Sequence, residues 1–227
     1  MNISKKVLLS TLVLSIILSV LFTGCEEVTN NDNDDSKIYI KELNDDGMIA
    51  QEENLVEGII LSEDNKPIQV GLFTSSDYSS SELNYLSRGI LRFDISDLEN
   101  TDITFNIKCI NVQGNPEGLE VYLMDDPGQL TNYNQLQDVS SIWLLTESSA
   151  RFIGEFYPSK NEWLKVNIQK DMVESIINEK YSKGEYFTIL LKLLFDFTLD
   201  EYGNYFEFAS TNYSPDDKSD RPYIEYK

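Results

Sequence analysis

The chain has 227 residues with 18 basic against 39 acidic side chains, a formal net charge of −21. That balance argues against nucleic acid, and against an anionic membrane surface, as electrostatic partners. Histidine is absent and only two cysteines occur, which excludes serine–histidine, cysteine–histidine and histidine–metal chemistry.

Lys5 and Lys6 precede an apolar run from Val7 to Phe22, the layout of a secretory signal peptide. The following residues, Leu21-Phe22-Thr23-Gly24-Cys25, resemble the lipobox of bacterial lipoproteins, with Phe22 where an aliphatic residue is usual. The resemblance implies diacylglyceryl transfer to the thiol of Cys25 and removal of residues 1–24. An uncleaved transmembrane helix is the alternative for so apolar a run. Removing residues 1–24, which hold two lysines and no acid, leaves 203 residues with a net charge of −23. With Cys25 lipidated, Cys109 has no partner for an internal disulfide and reads as a small buried hydrophobe. Residues 25–36, the lipidated cysteine and an acidic stretch with a single aliphatic residue, read as a flexible tether.

Residues 37–227 read as one domain of short strands. In Arg88–Ser96, Leu91, Phe93 and Ile95 alternate with Ile90, Arg92 and Asp94. Thr104–Val112, Leu119–Leu123 and Trp163–Ile168 repeat the alternation, each with one apolar face. Phe187–Phe195 is almost continuously apolar, as a central strand covered on both sides would be. Tyr205–Ala209 and Tyr223–Tyr226 close the set, and turn signals such as Asp126-Pro127-Gly128 separate the runs. Helical spacing appears once, at Met172, Val173, Ile176 and Ile177, and predicts one short helix over about 170–183. The fold class predicted is therefore mostly β: an antiparallel two-sheet sandwich carrying one short helix.

Three segments in order resemble a family of secreted jelly-roll modules, the DNRLRE-type domains that include carbohydrate-binding module family 96. The first is Ser87-Arg-Gly-Ile-Leu-Arg-Phe-Asp-Ile-Ser-Asp-Leu98, preceded by Ile68-Gln-Val-Gly71 where the family has a strand ending in Val-Gly. The second is Trp163-Leu-Lys-Val-Asn-Ile168 with the helix after it, Asn167 standing where Asp is usual. The third is Phe206-Glu-Phe-Ala-Ser210 followed by Arg221-Pro-Tyr-Ile-Glu-Tyr226. The resemblance spans about residues 45–227 and rests mostly on framework positions. It implies a jelly-roll sandwich that holds a polysaccharide and is not itself an enzyme.

Candidate ligand-binding residues are aromatics and arginines. Tyr78 and Tyr85 lie in a serine-rich segment read as a loop before the Arg88 strand. Tyr133 lies in a polar stretch, and Trp143 in a less regular one. Trp163 shares the outward face of its strand with Lys165, where it would either stack on a sugar or cover the sandwich edge. Arg88 and Arg92 suit a carboxylated glycan, or else ion pairs with neighbouring acids. Asp45-Asp46 and Asp216-Asp217 offer oxygen ligands to calcium, without EF-hand spacing. Nothing marks one carboxylate pair for catalysis. The function expected is a membrane-anchored, extracytoplasmic, non-catalytic carbohydrate-binding module, touching the membrane through its lipid only. A structural or adhesive envelope protein is the alternative, and the oligomeric state is open.

Overall fold

The computed structural model describes residues 36–42, 45–52, 58–61, 66–75, 83–95, 98, 101–130, 136–178, 186–194, 203–211, 213 and 218–226. Residues Ser36–Lys227 form a compact unit of their own. Cys25 and the tether lie outside the described residues.

The strands are β1 (Lys37–Tyr39), β2 (Asp46–Glu52), β3 (Gly58–Leu61), β4 (Ile68–Ser75), β5 (Leu83–Asp94) and β6 (Ile103–Gln113), then β7 (Leu119–Met124), β8 (Arg151–Phe156), β9 (Glu162–Ile168), β10 (Tyr186–Leu193), β11 (Asn204–Phe208) and β12 (Tyr223–Tyr226). All pairings are antiparallel. The twelve residues of β5 serve two layers. On one edge β5 pairs with β2. On the other, its first half pairs with β4 and its second with β10. Strand β6 branches in the same way, with β9 on one edge and β12 then β11 on the other. One layer therefore runs β3-β2-β5-β10-β7-β8. The other comprises β9-β6 with β12-β1 and β11-β4, and the two meet where β4 joins β5.

The side chains follow the pleat. Leu91 and Phe93 of β5 point between the layers, as do Phe105, Ile107 and Cys109 of β6 and Leu119, Val121 and Leu123 of β7. Leu164, Val166 and Ile168 of β9 do the same, and all are buried. Phe93 and Phe105, from unpaired strands in opposite layers, meet edge to face with centroids 5.9 Å apart. Strand β10 is buried on both faces between β5 and β7, which accounts for its unbroken apolar run. This is the antiparallel sandwich expected from the strand patterns.

Helix α2 (Lys170–Asn178) falls where helical spacing placed it, and Val173 is its buried contact. Asp102 accepts from its first backbone amide, Lys170 N, at 2.7 Å. The residues after Asn178, to Glu185, lie outside the described set. Before it comes α1 (Leu136–Ser148), a second helix where the sequence pattern predicts a less regular stretch. Its buried set, Ile142, Trp143 and Thr146, has helical spacing, but Leu144 beside them is 61% exposed. In sequence the four apolar residues from 142 to 145 form one run among serines, which hides the period. Ser148 and Ser149 donate to the carbonyls of Leu144 and Leu145 at 2.8 and 2.9 Å, satisfying acceptors at the helix end. No helix among the described residues is long and apolar enough to cross a membrane.

The Val70-Gly71 pair does not end its strand. Strand β4 continues to Ser75, and Gly71 is where it passes from pairing only with β11 to pairing with β5. Gly71 has φ +133°, and a Cβ there would lie 2.5 Å from the Asn204 carbonyl oxygen and 2.8 Å from Tyr205 Cα. Both are backbone atoms of β11, so neither side can give way. Gly71→Ala is expected to cost at least about 2 kcal/mol of stability, combining backbone strain with overpacking. Urea denaturation followed by tryptophan fluorescence measures it.

Candidate functional site

The outward face of β5 carries Arg88, Ile90 and Arg92, and it is covered. Arg92 is 3% exposed. Its Nε and Nη2 donate to the two oxygens of Asp126 at 2.5 and 3.0 Å, a bidentate pair. Its Nη1 donates to Asp45, and its guanidinium lies over the Tyr186 ring at 4.2 Å from the centroid. Burial alone would lower the pKa of Arg92, but Asp126 and Asp45 outweigh it and the net shift is upward. Burial likewise raises Asp45, with Arg92 offsetting part of the shift.

Arg88, also 3% exposed, is held by helix α1. Its guanidinium stacks on the Trp143 ring at 4.0 Å, Nη1 donates to Thr146 Oγ1 at 2.5 Å, and Glu147 lies 3.5 Å from Nη2. Both arginines thus fill their donor forks with the chain's own groups. Neither offers a free guanidinium to a carboxylated ligand. Their role is to seat α1 and the Asp45 and Asp126 segments on the sheet.

Removing Arg92 would strand Asp45, whose side chain is 2% exposed, without its counter-charge. Arg92→Met is expected to destabilise the domain by roughly 3–5 kcal/mol at neutral pH. The loss should shrink in acid, where the orphaned carboxyl is protonated, and urea midpoints at both pH values test this.

Asp45 and Asp46 do not make one ligand set. Adjacent strand residues point to opposite faces, so Asp45 turns out to Arg92 while Asp46 turns in between the layers. Asp46 accepts from the Thr211 amide at 2.6 Å, and burial pushes its pKa up to about 6 despite that bond. Among the described residues, no three acidic or cysteine side chains gather as a metal group would. Asp216 and Asp217 lie outside the described residues.

A carboxyl raised from 3.8 to about 6 contributes stability in full below pH 4. That contribution is lost as pH rises through about 6. Asp46→Asn keeps an acceptor for Thr211 and removes the buried charge. It is therefore expected to match the wild type near pH 3.5 and to exceed it by roughly 2–3 kcal/mol at pH 7. Thermal melts across this range show the divergence.

The candidate aromatics separate. Tyr85 belongs to β5, not to a loop, because β5 extends back to Leu83 by pairing with β4. It is 1% exposed and stacks on Phe73 at 5.5 Å, so it presents no face to a ligand. Trp143 is buried beneath Arg88. Tyr78 and Tyr133 lie outside the described residues. Of the candidate aromatics described, Trp163 alone is half-buried on an outward face.

Around Trp163 the structure assembles a cleft of about 180 Å³, lined by Phe156, Tyr157, Pro158, Ser159, Glu162, Trp163, Leu164 and Lys165. It forms at the rim of the sandwich, where the chain leaves β8 in one layer and enters β9 in the other. The crossing turns at Asn161, the one non-glycine with positive φ (65°) among the described residues. Its amide donates to the Cys109 carbonyl at 2.7 Å, and Glu162 N to Ser159 O at 3.2 Å. Tyr157 is 70% exposed. Its ring lies so near Gly118 that a Cβ there would stand 3.1 Å from Cε1. On the other side Trp163 meets Tyr223 edge to face at 5.5 Å and 64°, and Tyr223 meets Tyr39 at 5.6 Å. Lys37 Nζ lies 5.2 Å from the Tyr223 centroid. Asn106, the register partner of both Tyr223 and Lys165, is buried on this face. Its amide donates to Thr104 O at 2.9 Å, and its Oδ1 has no partner among the described residues.

Tyr157, Tyr223 and Tyr39 were not singled out in the sequence. Tyr157-Pro158, an aromatic at a turn signal, is the clue the sequence offers. The chain matches no protein-family model and no curated protein.

Proposed function

We propose that this chain is a lipid-anchored, extracytoplasmic module that binds polysaccharide without hydrolysing it, similar to the DNRLRE-type jelly-roll domains. The observation that carries this reading is the Trp163 cleft, with an exposed and a half-buried aromatic flanking it. Aromatic rings offer a flat apolar face to the C–H side of a sugar, and Ser159, Glu162 and Lys165 offer hydrogen bonds to its hydroxyls. The sandwich supports the reading only as a scaffold, since one fold hosts many functions. The lipobox at Cys25 supplies the membrane anchor, and many tethered copies would give avidity for a polymer.

The alternative, a structural or adhesive envelope protein, is favoured by the absence of a flat aromatic platform among the described residues. Trp163 and Tyr223 stand at 64°, and the other outward pair, Tyr122 and Phe152, stands at 64° in the opposite layer. A glycan array probed with the chain purified in mild detergent, with and without calcium, separates the two. Binding to at least one polysaccharide, with the glycan intact after prolonged incubation, is expected. Silence across the array would leave the structural reading in place. Mass spectrometry of the mature N-terminus should find Cys25 first and diacylated.

A further inference from the structure

The Trp163 cleft also bears on which kind of glycan is bound, an inference that rests on the proposed glycan-binding function. We infer that it takes an uncharged polysaccharide, gripped between Tyr157 and Trp163, and that acidic glycans are not its ligands.

The first argument is the disposition of positive charge. A polyuronate or sulfated glycan calls for guanidinium or clustered ammonium groups at the contact surface. Arg88 and Arg92 are each 3% exposed and already engaged with Thr146, Glu147, Asp45 and Asp126, and the other two arginines, Arg151 and Arg221, do not line the cleft. The cleft itself holds one cation, Lys165, and one anion, Glu162, which cancel. Lys108, the register partner of Trp163, is also engaged, donating to Asp220 at 2.6 and 2.7 Å. Behind these local charges stands a chain with a net charge of −21, which repels a polyanion at low salt.

The second argument is what the cleft offers instead. Tyr157 is 70% exposed yet backed by Gly118, so its ring costs little further ordering on binding. Trp163 is buttressed by Tyr223 on the strand side. Two braced rings that share one cleft with a serine hydroxyl, a carboxylate and an ammonium match a neutral pyranose. Axial C–H groups meet the rings, and equatorial hydroxyls meet the polar groups. The small cleft suits a short stretch of polymer, with the rest of the chain passing over the open rim.

Calorimetric titration of the chain in mild detergent tests this, with cellohexaose, xylohexaose and mannohexaose as neutral probes and polygalacturonate as the anionic one. Binding to a neutral probe is expected, unchanged when salt is raised. Tyr157→Ala and Trp163→Ala should each weaken it by about tenfold or more. Tyr157 is exposed enough that its variant should melt with the wild type, so lost binding there does not reflect misfolding. Neutral binding untouched by both substitutions would overturn the assigned cleft while leaving glycan binding standing. Binding confined to polygalacturonate would overturn the ligand class alone. No binding to these probes or to any glycan on the array would overturn this inference together with the function it rests on.

Discussion

Strand β5 must be buried on both faces and bonded along both edges, and the rest of the domain is arranged around that requirement. Its inward side chains, Leu91 and Phe93, meet the opposite layer directly. Its outward side chains include two arginines, which cannot be buried without counter-charges and hydrogen-bond partners. Those partners come from Asp45 ahead of β2, Asp126 after β7, and Trp143 and Thr146 of helix α1. The need to satisfy two guanidinium groups thus gathers three distant segments onto one sheet face. Replacing such a pair by apolar residues can leave stability unchanged, so its return lies in register and in the seating of the helix.

What the sequence shows and hides follows from the same arrangement. Strands with one dry face, such as β6, β7 and β9, announce themselves by alternation, because local order suffices to display it. The double burial of β10 is equally plain in its unbroken apolar run. The outward face of β5 is not legible, since the hydrogen-bonding partners of Arg88 and Arg92 stand 34 to 59 positions away in the chain. Tyr85 is hidden for a related reason. Serines around it suggest a loop, but cross-strand pairing with β4 extends the strand through it. Helix α1 is concealed by the exposed Leu144 inside its apolar run.

The candidate site shows the limits of composition. Seven aromatic and basic residues drew attention in the sequence. Of the five described, four are buried core or ion-pair residues and only Trp163 is partly open to solvent. Its companions come from a β-crossing and from the two chain-terminal strands, which no local pattern joins. Glycine does the joining at Tyr157, where a missing side chain at position 118 lets a ring rest on backbone. The chemistry left exposed is aromatic and nearly neutral, although the chain as a whole is strongly acidic.

The pairing of β1 with β12 has a mechanical consequence. Strand β1, three residues long, is the first strand described after the segment expected to act as a tether, and it is fastened to the last strand by its register and by Ser36 O accepting from Tyr226 N at 2.9 Å. Strands β1, β12, β6 and β9 are consecutive neighbours, which puts the cleft strand about 14 Å across the sheet from β1. If the N-terminus is fixed and a ligand drags on Trp163, the tension crosses four strands of one layer. The ring contacts from Tyr39 through Tyr223 to Trp163 span the same route. The short β1 would then act as a fuse, peeling from β12 before the sandwich itself came under strain.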